Sequence, residues 1–182
     1  HWRGDKPSIQ SFNPTFVNLM AGSLLPTTAM DALAAYLFSI TNHPNPNRNP
    51  DRTLKSSLNG ASAAAGRDLY NNHLKSHCIV CHQYSGGTDQ NIDTPSAVDR
   101  RQPVKNPSLR LVYQRAGIFN PVAGQSSLSG FGLGSDGTRY QFPKIHPYSL
   151  DQLRTPAELA SVTAFILSFD TGTAPALSAP VT

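Results

Sequence analysis

The 182-residue sequence predicts an all-α fold, and three observations carry that expectation. Two stretches, Met30 to Phe38 and Leu159 to Ile166, repeat apolar residues at helical spacing behind capping signals. A third, Ser62 to Asn72, reads as a short capped helix running toward Cys78-Ile79-Val80-Cys81-His82. No strand-then-helix alternation surrounds that cysteine pair.

The chain opens on His1-Trp2-Arg3-Gly4-Asp5, with no Met and no charged-then-apolar leader, and reads as a mature or trimmed piece of something longer. Thr28-Ala29-Met30-Asp31 fits a capping box, followed by a stripe of Met30, Leu33, Ala34, Leu37 and Phe38. A helix is expected from Ala29 to Ile40. Thr41 to Pro50 is too rich in Asn and Pro for a helix or a central strand, so it is expected to be a linker. The organisation follows: residues 1–52 form a helical segment with its linker, and residues 53–182 form the main domain with an Ala/Pro-rich tail.

Ser62 is placed as an N-cap, with Leu69 and Tyr70 as the bulky apolar residues of the helix it starts. Next comes Cys-x-x-Cys-His, the pattern of covalent c-type haem attachment. Two thiols separated by two residues on one turn, Cys78 and Cys81, can each form a thioether with one haem vinyl group. The following residue, His82, then lies where its imidazole can coordinate the iron. Three other readings are weaker. A thioredoxin-like pair expects a βαβ setting, structural zinc expects four Cys or His ligands, and a disulfide here would close a very small loop. Thr155-Pro156-Ala157-Glu158 joins a capping box to a proline at the first helical position and opens a helix to about Phe169.

Composition narrows the function classes. The formal charge is +4, but the Lys and Arg residues are scattered with no basic run, which argues against a nucleic-acid partner. No stretch approaches the roughly 20 apolar residues of a membrane span, so no transmembrane segment is expected. Charged residues are 14% of a chain rich in Asn, Ser, Thr and Pro, which suits a protein outside the cytoplasm.

Gly66-Arg67-Asp68-Leu69-Tyr70 before the attachment motif, Val104-Lys105-Asn106-Pro107-Ser108-Leu109-Arg110-Leu111-Val112-Tyr113 after it, and the helix from Thr155 to Phe169 together resemble the class I cytochrome c superfamily. The closest resemblance is to cytochrome c domains related to bacterial di-haem cytochrome c peroxidases, over roughly residues 62 to 175. It implies a cytochrome c fold, short helices around one covalent haem c, with residues 1–52 as an N-terminal extension. It also implies that the Pro107 carbonyl faces the second nitrogen of His82 and fixes its tautomer. Lys105, Arg110 and Arg115 fall where the chain would wrap the haem edge, and an arginine fork suits a propionate. Tyr113, Tyr140, Phe131 and Phe142 are pocket-wall candidates. In Ser129 to Thr138, similar to a family stretch containing His-Asp-Gly, Ser135 stands at the histidine position. A faint echo between His1-to-Met30 and Ser135-to-Glu158 makes residues 1–52 either a degenerate cytochrome repeat or an unrelated extension.

Electron carriers of this class commonly take a methionine as second axial ligand, yet Met20 and Met30 are the only methionines and both precede Cys78. His146, in a loop before the last helix, is the first choice for that position. Met20, Met30, His1, His43, His73, His77 and an open iron are the alternatives. The expected function is one-electron transfer between redox partner proteins, in the periplasm or at the cell surface of a bacterium, because c-type attachment takes place outside the cytoplasm. The alternatives are a haem enzyme module related to the peroxidases, for which one motif supplies only one of two haems, and a subunit of a larger electron-transfer complex.

Overall fold

The computed structural model of the chain describes residues 3–72, 78–84, 86–94, 102–115 and 155–174. His146, His1, His73, His77, Ser135, Phe131, Tyr140 and Phe142 lie outside them, so the expectations placed on those residues do too.

The N-terminal segment comprises a 3₁₀ turn at Gln10–Phe12, helix α1 over Asn13–Asn18 and helix α2 over Thr27–Ser39. Asn13 ties α1 to the chain entering α2, its amide donating to the Leu25 carbonyl at 2.8 Å and accepting the Leu25 N–H at 2.9 Å. Helix α2 begins two residues before the expected Ala29, and Thr28 is not its cap. The Pro26 carbonyl accepts the Ala29 and Met30 N–H groups, and Asp31, the supposed partner of Thr28, instead accepts from the Gln10 amide at 2.9 Å. With the helix starting at Thr27, Thr28 is already a helical residue and cannot occupy the N-cap position. Met30 and Ala34 are buried, while Leu37 and Phe38 of the same stripe are exposed.

Helix α3 spans Ala63–Asn71, and the Ser62 hydroxyl accepts the Ala65 N–H at 3.2 Å, as an N-cap should. The short helix α4, Cys78–Cys81, carries the cysteines. A two-stranded antiparallel ribbon follows, β1 (Ile92–Asp93) with β2 (Val104–Lys105), pairing Ile92 with Lys105 and Asp93 with Val104. The all-α expectation misses this ribbon because two residues per strand are too few to show an alternating pattern. Helix α5, Val112–Arg115, precedes α6, Pro156–Leu167. The capping box of α6 is complete. Glu158 N–H donates to Thr155 Oγ1 at 3.1 Å, and the Glu158 carboxylate accepts the Thr155 N–H at 3.2 Å.

Helices α3 and α6 pack against each other, with Gly66 at their contact. The core forms where they meet, from Tyr70 of α3, Val162, Phe165, Ile166 and Leu167 of α6, Phe169 just beyond it and Val112 of α5, with Leu54, Leu58, Cys78, Ile79 and Leu109 packed around it. Phe165 stands edge-on to Tyr70, ring centroids 5.0 Å apart. Met30 is buried but is not part of this cluster.

The Asn/Pro-rich segment forms neither helix nor extended strand, as its composition dictates, but it does not hang between two parts. It docks as a strap on the C-terminal end of α6. The Asn45 amide donates to the carbonyls of Leu167 and Phe169 at 2.9 and 2.8 Å, Asn47 donates to Leu167 at 3.0 Å, and Arg48 donates to Ser168 at 2.6 Å. The last carbonyls of an α-helix have no partner within the helix, and these side chains supply one. The positive charges of Arg48 and Arg52 also sit at the negative end of the helix dipole.

Candidate functional site

The site is built on one turn. The His82 N–H donates to the Cys78 carbonyl at 2.9 Å, so His82 continues the helical turn begun by Cys78 and stands directly after Cys81. Both cysteines are half-buried thiols, Cys78 lying against the core and Cys81 facing the loop beyond. The turn is anchored from below by Tyr70, whose buried hydroxyl donates to the His82 backbone carbonyl. Burial pushes the Tyr70 phenol far above its usual range, and the neighbouring Cys78, Tyr84 and Cys81 push it the same way.

The imidazole is held through Nδ1. The Pro107 carbonyl oxygen lies 3.1 Å from it and the Gly87 carbonyl oxygen 3.0 Å. The first of these is the contact that the family resemblance implies. Two carbonyl oxygens have only lone pairs to offer, so their approach requires a hydrogen on Nδ1. The ring then carries its lone pair on Nε2, the tautomer in which a histidine can bind a metal through that nitrogen.

The loop that brings these carbonyls in is closely bonded. Gly87 has φ of +68°, and its N–H donates to the Gln83 carbonyl at 2.6 Å. Thr88 Oγ1 donates to the Asn106 carbonyl at 2.5 Å, and the Ser108 hydroxyl donates to the Gly86 carbonyl. Asn106, buried, donates its amide to Asp89 Oδ1 at 2.9 Å, while the Asp89 N–H returns to the Cys81 carbonyl at 2.9 Å. Burial raises the Cys81 thiol above its ordinary range, and the charges of Asp93 and Asp89 add to this against a hydrogen bond with Asn106.

The other sequence candidates are placed as follows. Arg110 is half-buried, its backbone N–H on the Ser108 hydroxyl at 3.2 Å. Lys105 sits half-buried in β2, and Arg115 ends α5. Tyr113 packs on the core and donates to the Pro44 carbonyl at 3.4 Å, facing the strap over α6. Met20 and His43 are exposed.

Gly87 and Tyr70 are the site residues that sequence reasoning missed. A Gly-Gly pair a few residues past the motif signals a tight turn, but the target of its carbonyl is set by a segment 20 residues further on. Among the described residues, no three His, Cys, Asp or Glu side chains converge to hold a bare metal ion. No helix among them is long and apolar enough to cross a membrane. No family model, curated protein or solved structure matches the chain.

Proposed function

We propose that the chain is a c-type cytochrome that carries one haem through thioethers at Cys78 and Cys81, with His82 as an iron ligand, and passes single electrons between redox partners outside the cytoplasm. One observation carries the reading: two thiols and a histidine share one turn, and Nδ1 of that histidine faces two carbonyls, which leaves Nε2 as the donor atom. The donor set fits the group. Cys78 and Ile79 lie against an apolar core that would exclude water from one side of a flat, apolar macrocycle.

A bound haem supplies reversible one-electron chemistry at its iron. The residues of the chain hold and tune it. Cys78 and Cys81 would hold its edge and His82 would bind through Nε2, while the carbonyls of Gly87 and Pro107 on Nδ1 would keep the ring oriented and make it a stronger donor. Among the described residues no strand-then-helix βαβ setting surrounds Cys78 and Cys81, which disfavours a thioredoxin-like dithiol exchange. On the same reading His146, outside the described residues, would supply a second nitrogen to the iron, and Arg110 with Lys105 would meet the propionates.

Expression with c-type maturation, followed by intact mass and oxidised and reduced absorption spectra, tests the reading. The expected result is a mass increase of one haem that survives acid extraction, together with a low-spin spectrum that is lost in His146→Ala. An unmodified chain with two free thiols would overturn the haem assignment. A high-spin protein that binds carbon monoxide at once and turns over peroxide would overturn the electron-carrier assignment in favour of an enzyme.

A further inference from the structure

Nδ1 of an imidazole has a single hydrogen to donate, yet two acceptors stand at hydrogen-bond distance from it in His82, the Gly87 carbonyl at 3.0 Å and the Pro107 carbonyl at 3.1 Å. The two belong to segments that are stitched to each other rather than to the ring. Leu109 N–H donates to the same Gly87 carbonyl at 3.2 Å, Ser108 donates to Gly86, and Thr88 donates to Asn106 at 2.5 Å. Gly86-Gly87-Thr88 and Asn106-Pro107-Ser108-Leu109 therefore move as one unit, with a carbonyl from each aimed at one nitrogen.

Glycine at 87 is what lets the first segment come so close. Its φ of +68° is a conformation side chains disfavour, and a Cβ there would overlap the Leu109 backbone N and come within 2.8 Å of Leu109 Cβ. No other residue could place its carbonyl against His82 without pushing the Pro107 segment away.

We infer that Gly87 is a positioning residue for the His82 ring, its carbonyl sharing the Nδ1 hydrogen with that of Pro107 in a two-acceptor clamp that sets the basicity of Nε2. The inference rests on the haem reading above. Two carbonyl dipoles on Nδ1–H shift electron density toward Nε2 more than one does, and a more basic donor favours the more oxidised iron. The clamp therefore lowers the reduction potential and fixes the ring plane at the same time. Since both acceptors are backbone atoms, the effect does not titrate.

The test compares the haem-loaded full chain with Gly87→Ala and Thr88→Val. Thr88→Val keeps the shape and removes the bond joining the two carbonyl-bearing segments, so it decides the matter if Gly87→Ala does not fold. Spectroelectrochemical titration should move the midpoint potential of each variant to more positive values. Proton NMR should show the His82 Nδ1–H exchanging with solvent about tenfold faster, the equivalent of one weakened hydrogen bond. Asn45→Ala, which loosens the contact at the C-terminal end of α6 and touches neither carbonyl-bearing segment, should lose stability without a shift in potential. If haem is attached and Thr88→Val matches the parent chain in both potential and exchange, the clamp is wrong while the haem reading stands. If the parent chain carries no haem, both fall together.

Discussion

Gly66 of α3 touches the backbone of Ser161 in α6. A Cβ at position 66 would overlap the Ser161 carbonyl and lie 2.9 Å from the Val162 nitrogen. These are backbone atoms in the middle of a helix, so they cannot rotate aside as a side-chain tip would. Helices that meet this closely need a residue without a side chain at the crossing.

Gly66→Ala should therefore destabilise the chain even though alanine is the better helix former. The helix propensity gain is about 1 kcal/mol. Overpacked cores cost about 1 to 3 kcal/mol, and a clash against backbone, which must part α3 from α6, falls at the upper end of that range. A thermal melt should show a fall of several degrees. An unchanged or higher melting temperature would mean that the two helices are not in backbone contact.

Tyr70→Phe isolates the bond from the Tyr70 hydroxyl to the His82 carbonyl, because the ring packing against Phe165 and Phe169 is retained. The expected loss is about 1 to 2 kcal/mol near neutral pH, the cost of a buried acceptor left without its donor. The pH profile is a second signature. The Tyr70 phenol ordinarily ionises at 10.0, and burial first of all raises it in the folded chain. Above pH 10 the unfolded chain gives up this proton while the folded chain keeps it, so stability is full below 10 and falls as the pH rises beyond it. Denaturant melts from pH 8 to 11 should show this alkaline slope in the parent chain and a shallower one in Tyr70→Phe.

Asn45, 5% exposed, sits 122 and 124 residues from the two carbonyls it satisfies. Asn45→Ala should cost about 1 to 2 kcal/mol, since the Phe169 carbonyl loses its side-chain donor and the Leu167 carbonyl keeps only that of Asn47. Asn45→Asp should be worse than alanine at pH 7, because a carboxylate would face those carbonyls at the negative end of the helix dipole. Chemical denaturation of the two variants ranks them. Equal stability of both with the parent would mean that the strap does not cap α6.

The elements that were legible in advance are those whose cause is local. Ser62 and Thr155 announce helices because the bond each makes is to a residue three positions on, within reach of any sequence window. The Cys-x-x-Cys-His turn is legible for the same reason. Thr28 reads equally well as a cap and is not one, because the helix starts at Thr27 behind Pro26 and already contains Thr28. Asn45 reads as linker because nothing near it hints at α6. Half of the His82 clamp, the Pro107 carbonyl, was within reach of a family resemblance. The Gly87 half depends on a turn meeting a segment beyond β2, and only the folded chain brings those together.

Asp170 closes the contact between strap and helix end from the other side, its carboxylate 2.7 Å from the Arg52 guanidinium. Burial alone would raise this carboxyl. The hydrogen bonds from Arg52 and the Gly172 N–H, together with the charges of Arg48 and Arg52, outweigh it and hold the group below its ordinary 3.8. A carboxyl depressed on folding stabilises the fold above its unfolded value and loses that contribution as the pH falls through its folded value. Below about pH 4, then, the parent chain should lose stability more steeply than Asp170→Asn, and their melting curves should converge in acid. Near pH 7 the parent should melt higher by a small margin, because both partners are partly exposed to solvent. That margin should shrink in about 1 M NaCl, where charges are screened beyond about 3 Å. A margin unaffected by salt would mean that the ion pair with Arg52 is not what Asp170 contributes.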